Sequence, residues 1–161
     1  MAKLAVIVMG NRKAGKSRTW NVLFDRTVHT GSQTRRLRLS DGRSVDVFLV
    51  SASPEERRRY VGDIVDDDAR IVLCSVQYTL KAQDSFSFFL DHGYTLYIQW
   101  LNPGFNDPAR LADTLGFSDR LLHLGATLSV RDGRRDPRSR VKELRDFITG
   151  WTADRRVNDS A

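Results

Sequence analysis

The segment Gly10-Asn11-Arg12-Lys13-Ala14-Gly15-Lys16-Ser17 carries the pattern Gly, four residues, Gly, Lys, Ser, whose residue types suit one task, holding a phosphate chain. Glycines at both ends let the backbone wrap an anion with its N–H groups turned inward, and a helix beginning near Lys16 adds the positive end of its dipole. Lys16 is placed to reach the β and γ phosphates, and the Ser17 hydroxyl is placed to ligate Mg²⁺. Arg12 and Lys13 add positive charge inside the loop, with Ala14 between them and Gly15, and Arg18 follows directly. Read this way, Gly10 to Arg18 form the binding loop, with Lys16 and Arg12 as candidate catalytic groups. The motif needs a strand before it and a helix after it. Leu4 to Met9 is an apolar run of strand type, and Ser17 to Phe24 places Trp20, Leu23 and Phe24 at helical spacing.

Around this unit, short apolar runs rich in β-branched residues alternate with helical segments, the pattern of an α/β fold built on a mainly parallel sheet. Strands are expected at about 3–9, 35–40, 44–51, 70–76, 94–101 and 125–131. Asp41-Gly42 between the second and third predicts a hairpin, hence one antiparallel edge pair in a sheet of about six strands. Ser53-Pro54-Glu55-Glu56 combines an N-cap serine, a proline at the first helical position and a capping-box glutamate, which predicts a helix over about 54–67. Asp107-Pro108 and Asp136-Pro137 repeat the device. With Gly93, Gly116 and Gly150 as helix stops, they predict helices at about 79–92, 108–115 and 137–149. The polar segment after Trp151 predicts a domain over 1–151 and a flexible tail over 152–161.

Gly10-Asn11-x-x-x-Gly15-Lys16-Ser17-x-x-Trp20-Asn21-x-Leu23, together with the order of elements, resembles the opening of the TRAFAC-class small GTPases. The resemblance implies a three-layer α/β/α P-loop NTPase that binds Mg²⁺ with ATP or GTP. It also implies a switch threonine that touches Mg²⁺ and the γ-phosphate, for which Thr34 in Gln33-Thr34-Arg35 is the candidate and Thr30 the reserve. Two family motifs are altered. Ser51-Ala52-Ser53-Pro54 stands where the family has Asp-x-x-Gly, leaving Glu55 and Glu56 as the nearest acids. Of the base-reading Asn-Lys-x-Asp only Asn102 is present, in Asn102-Pro103-Gly104-Phe105, with Asp107 nearby but explained as a cap. The resulting expectation is a slow NTPase or nucleotide-dependent switch, in which segments 25–36 and 51–56 order around the triphosphate and present a surface to a protein partner. The alternatives are a phosphotransferase with the arginine-rich loop 131–140 as lid and the hairpin region as acceptor site, and a pseudo-GTPase that only binds.

The 161 residues suffice for one domain with its own core. Cys74 is the single cysteine, which excludes a disulfide framework and multi-cysteine zinc sites and fits a cytoplasmic setting. No apolar run is long enough to span a membrane. His29, His92 and His123 lack ligand spacing. The net charge of +6 comes from 26 Lys and Arg against 20 Asp and Glu, and its arginine bias admits nucleic acid among the partners.

Overall fold

The computed structural model describes residues 2–28 and 32–160. Six strands, β1 (Lys3–Gly10), β2 (Ser32–Arg38), β3 (Ser44–Val50), β4 (Ile71–Gln77), β5 (Tyr94–Leu101) and β6 (Thr127–Arg131), form one sheet in the order β2-β3-β4-β1-β5-β6. Only β2 and β3 pair antiparallel, through the Asp41-Gly42 turn in which Gly42 has φ 90° and Leu39 donates to the carbonyl of Arg43. All other neighbours are parallel, so the mainly parallel α/β sheet with one edge hairpin is as expected.

Side-chain alternation along β1 divides the core. Leu4, Val6 and Val8 join Trp20, Leu23, Val141, Leu144 and Ile148 on one face, covered by α1 (Lys16–Leu23) and α4 (Arg138–Ser160). Ala5, Ile7 and Met9 join Phe86, Phe89, Phe117 and Leu121 on the other, under α2 (Ala82–Asp91) and α3 (Phe117–His123). A strand buried on both faces reads as a continuous apolar run, as Leu4 to Met9 does. Cys74 lies in this interior with its thiol pushed well above its usual range by burial, inert packing as its setting predicts. Phe86, Phe88 and Phe89 are all buried in one cluster, Phe88 packing edge-on against both Phe89 and Tyr60.

Four local expectations are corrected. The helix over 54–67 starts and stops: Arg57 and Arg59 donate to the carbonyls of Ser53 and Pro54, then Arg58 turns left-handed at φ 54°, and only a 3-10 turn at Val61–Asp63 follows. The segment 108–115 is irregular, because Asp107 accepts from the Gly104 amide (2.9 Å) instead of capping a helix. The helix begins later, where Asp113 accepts from the amides of Phe117 (3.2 Å) and Ser118 (2.7 Å). Gly150 does not stop the last helix. α4 runs on to Ser160, and Thr152, expected to open a tail, is buried in it and receives Arg43 Nη2 at 3.1 Å.

Candidate functional site

The chain leaves β1 at Gly10 and enters α1 at Lys16, so the loop 10–17 crosses the carboxyl edge of the sheet, where ligands of open α/β sheets bind. Gly15 at φ 106° supplies the left-handed turn into α1. As at every helix start, the first amides lack intrahelical acceptors and face outward for an anion. Lys13 is also left-handed, φ 61°, a strained state for a side chain of its size.

Ala14 is the point on which the loop is built into the molecule. A Cβ on Gly10 would lie 2.7 Å from its Cβ, one on Gly104 2.6 Å from the same atom, and one on Gly133 2.8 Å from its carbonyl oxygen. The turns after β1, β5 and β6 are thus packed backbone to backbone. Phe105 N–H donates to the Ala14 carbonyl (2.9 Å) and Gly133 N–H to that of Pro103 (2.7 Å). Asn11 donates to the Asp107 carboxylate at 3.4 Å, which binds the loop to the β5 turn from its other end.

Lys16 is 5% exposed. Its ammonium donates to the carbonyls of Gly10 (3.1 Å) and Asn11 (2.8 Å) and pairs with Glu56 at 3.4 Å. Burial lowers its pKa and Glu56 opposes that shift. Glu56 comes from the capping box after β3. Its amide still takes the Ser53 hydroxyl (3.3 Å) as such a box requires, but its carboxylate turns to Lys16. Glu55 turns the other way. It accepts from the Gln77 amide (3.2 Å) at the end of β4 and from the Ser85 hydroxyl (2.8 Å) on α2, and burial raises its pKa. Gln77 is the register partner of Gly10, so Glu55 is held one strand from the loop.

Two openings meet at the loop. One, about 270 Å³, lies over Gly15 and Ser17 between Arg18 and Phe105, whose half-exposed ring sits 5.8 Å from the Arg18 guanidinium. The other, about 540 Å³, is bounded by Arg12, Lys13, Ser17, Glu55, Glu56 and Arg58. Ser17 borders both. Behind the loop, Arg140 is buried at the start of α4. Its Nη1 donates to Thr19 Oγ1 and to Gln99 Oε1 (3.4 Å), while Nε and Nη2 find no acceptor. Nη2 would lie 3.6 Å from a Cβ on Gly15. Burial, with Arg18 nearby, lowers the Arg140 pKa to about 10, so the guanidinium stays charged at neutral pH with no carboxylate on it.

Gly10 to Arg18 are therefore brought together, with Arg12, Lys13, Ser17 and Arg18 exposed. Two expected members are not. Thr34 sits in edge strand β2, opposite Phe48, and β3 and β4 separate it from β1, a distance of about three strand spacings or 14 Å. Thr30 and His29 lie outside the described residues. Asn102 is buried and engaged twice with Leu111, donating to its carbonyl and accepting from its amide, both at 2.7 Å, so it shapes the β5 turn and reads no base. The loop 131–140 is no free lid: Arg131 pairs with Glu143, Arg134 and Arg135 with Asp132, and Arg138 with Asp136. The hairpin expected to hold its acceptor is the β2–β3 pair at the edge of the sheet.

Sequence reasoning missed the roles of Gly104 and Gly133, and held Arg140 only as one member of the arginine-rich loop 131–140. The glycines carry a faint signal in Pro103-Gly104 and Asp132-Gly133, each just after a strand. Nothing in the sequence sets Arg140 apart from the other arginines of that loop. Sequence reasoning also missed that Trp20 donates to Ser75 (2.8 Å), which donates to the Ser51 carbonyl (2.8 Å), tying α1 through β4 to the end of β3.

The class this defines is an α/β protein with a six-stranded, mostly parallel sheet and a glycine-lysine-serine loop on its carboxyl edge. Compared with models of known protein families and with curated proteins, the chain matches none of either. Among the described residues no helix is long and apolar enough to cross a membrane.

Proposed function

We propose that the loop 10–17 binds the phosphates of a nucleoside triphosphate with Mg²⁺, and that the protein by itself hydrolyses it slowly, as a P-loop NTPase of GTPase-like architecture. The observation that carries this reading is Lys16, a buried ammonium resting on the carbonyls of its own loop at the floor of an open cleft. A phosphate entering the cleft exchanges a lone lysine–carboxylate contact for a charge-assisted phosphate contact plus the helix-start amides.

The oxygens at hand fit a hard divalent cation. Ser17 is exposed at the start of α1, and Glu55 and Glu56 line the same 540 Å³ cleft. Ser17 would hold Mg²⁺ directly and the glutamates from further out. Once bound, the ion neutralises charge on the phosphates. Arg12 and Lys13 contribute further positive charge at the mouth. Slow hydrolysis follows from the end of β3. No aspartate stands there, and β4 separates β3 from the loop strand, leaving Glu55 and Glu56 to reach across from the following turn. The segment 51–58 is then the element that answers to nucleotide, because Glu56 must release Lys16 when phosphate arrives. With Asn102 committed to Leu111, neither ATP nor GTP is favoured by more than about tenfold. Phe105 and Arg18 offer a purine ring a sequence-tolerant face.

The switch surface at 51–58 is the proposed contact for a protein partner. Nucleic acid is the weaker partner, since four of the five arginines of 131–140 pair with Glu143, Asp132 or Asp136 within the chain and the fifth, Arg140, is buried. Titration of Mg-ATP and Mg-GTP against the folded wild type and Lys16→Ala tests the central claim. Binding is expected in the wild type and lost in the variant. Equal affinity in both would refute it.

A further inference from the structure

A third cavity, about 460 Å³, lies on the far side of Glu55 from the loop, between the 54–61 turn and α2. Glu55 and Arg58 line both this cavity and the 540 Å³ cleft over Arg12, Lys13 and Ser17. The two cavities adjoin at these side chains. The remainder of the far cavity carries Arg59 and Lys81 against Asp84, with the half-exposed Tyr60 ring as an apolar side. Two features mark this junction as a place of chemistry. Arg58 is one of three non-glycine residues with left-handed backbone among the described residues, at φ 54°, a conformation that costs energy and interrupts the helix its own sequence begins. Glu55 is a carboxylate fixed from both sides, Oε2 on the Gln77 amide and Oε1 on the Ser85 hydroxyl, and each oxygen keeps a lone pair.

We propose that this cavity is an acceptor site for a small hydroxyl compound bearing an anionic group, and that the protein is a phosphotransferase in which the acceptor hydroxyl meets the γ-phosphoryl group where Glu55 and Arg58 border both cavities. The inference rests on triphosphate binding at the loop and replaces water with an acceptor hydroxyl. Arg59 and Lys81 hold the acceptor's anion. Glu55 takes the hydroxyl proton as that oxygen bonds to the γ-phosphorus. The bond from the γ-phosphorus to the oxygen bridging to the β-phosphate breaks, and its electron pair leaves with the nucleoside diphosphate. Arg58 faces the phosphoryl group in transit and stabilises its charge.

The test uses the full chain with Mg²⁺, γ-labelled ATP or GTP, and as acceptors the nucleoside 5′-monophosphates and the pentose and hexose phosphates. Transfer of label to one of them, at least tenfold faster than acceptor-free hydrolysis, is expected. Glu55→Gln is expected to lower that transfer at least a hundredfold. Arg59→Ala with Lys81→Ala is expected to raise the acceptor KM at least ten times more than the donor KM. Folding of each variant is checked by circular dichroism and by donor titration. Donor binding with no member of the panel labelled, and none bound to the Mg-AMPPNP-loaded protein in calorimetry, overturns the acceptor site and leaves the loop reading standing. Failure of the donor to bind overturns both. Label transfer unchanged in Glu55→Gln removes the role of Glu55.

Discussion

Arg140 is the most exacting test of the loop, because its charge has no counter-charge until an anion binds. Replacing it with methionine keeps an unbranched apolar stem and removes the charge. In the free protein two effects oppose each other. Gln99 Oε1 and Thr19 lose a donor, which costs about 1–2 kcal/mol. Relief of a desolvated ion recovers a similar or larger amount, as replacements of buried ions by apolar groups often do. Folding stability therefore changes by no more than about 2 kcal/mol in either direction, the size of the larger opposing effect. Binding has no such cancellation. Arg140 Nη2 lies 3.6 Å from the Cβ position of Gly15, which puts a phosphate on the loop's open side roughly 8 Å away. At an effective dielectric of about 20 that is about 2 kcal/mol per unit charge, or about thirtyfold in affinity. Thermal shift makes this visible. A concentration of pyrophosphate that is 100 times the wild-type dissociation constant stabilises the wild type by about 2.7 kcal/mol, and the same concentration stabilises Arg140→Met by only about 0.9 kcal/mol. Arg140→Lys, which keeps the charge, is expected to fall between the two. A folded Arg140→Met with wild-type pyrophosphate affinity would refute the idea that the buried guanidinium serves the loop.

Gly133→Ala forces a Cβ to 2.8 Å from the Ala14 carbonyl and 3.1 Å from that of Pro103, both backbone atoms with no room to yield. It is expected to cost about 1–3 kcal/mol in urea unfolding and to weaken phosphate binding, although residue 133 touches no ligand. Glu55 sets a pH dependence. Its folded pKa is raised, so between the ordinary carboxylate value of 4.5 and the raised one the folded state binds more protons than the unfolded chain, and stability falls as pH rises through that window. Urea midpoints measured from pH 4 to 8 are expected to show this decline in the wild type and a smaller one in Glu55→Gln.

Where local chemistry decides structure, the sequence is legible. The apolar run of β1, the Asp41-Gly42 hairpin and the cap at Asp136 each act within a few residues, and each forms where its residues predict. Errors fall where a side chain with a good local role is taken by a distant partner. Asp107 has the residues of a helix cap around it, yet Gly104 and Asn11 claim its carboxylate, and the helix over 108–115 does not form. Glu56 is placed to complete a capping box, yet a buried ammonium 40 positions away is the better partner, since an unpaired charge costs more than an uncapped amide. Strand order is likewise set at long range, and it moved Thr34 to the edge of the sheet.

The same reasoning explains why half the site was invisible. A Gly-x4-Gly-Lys-Ser segment specifies its own backbone turns and its own lysine, but not the wall behind them. That wall is Gly104 and Gly133, chosen by how closely three turns approach Ala14, and Arg140, chosen by the space beneath Gly15. None has a neighbour in sequence that needs it. A motif whose backbone must stay fixed while anions come and go depends on such contacts, since rigid support lets a cradle bind without spending affinity on ordering itself. The 51–58 turn is built oppositely. Glu55 anchors it to β4 and α2, but its tie to Lys16 is one lysine–glutamate contact at 3.4 Å, so under the proposed function the Glu56 arm is the part of the cleft that responds to phosphate.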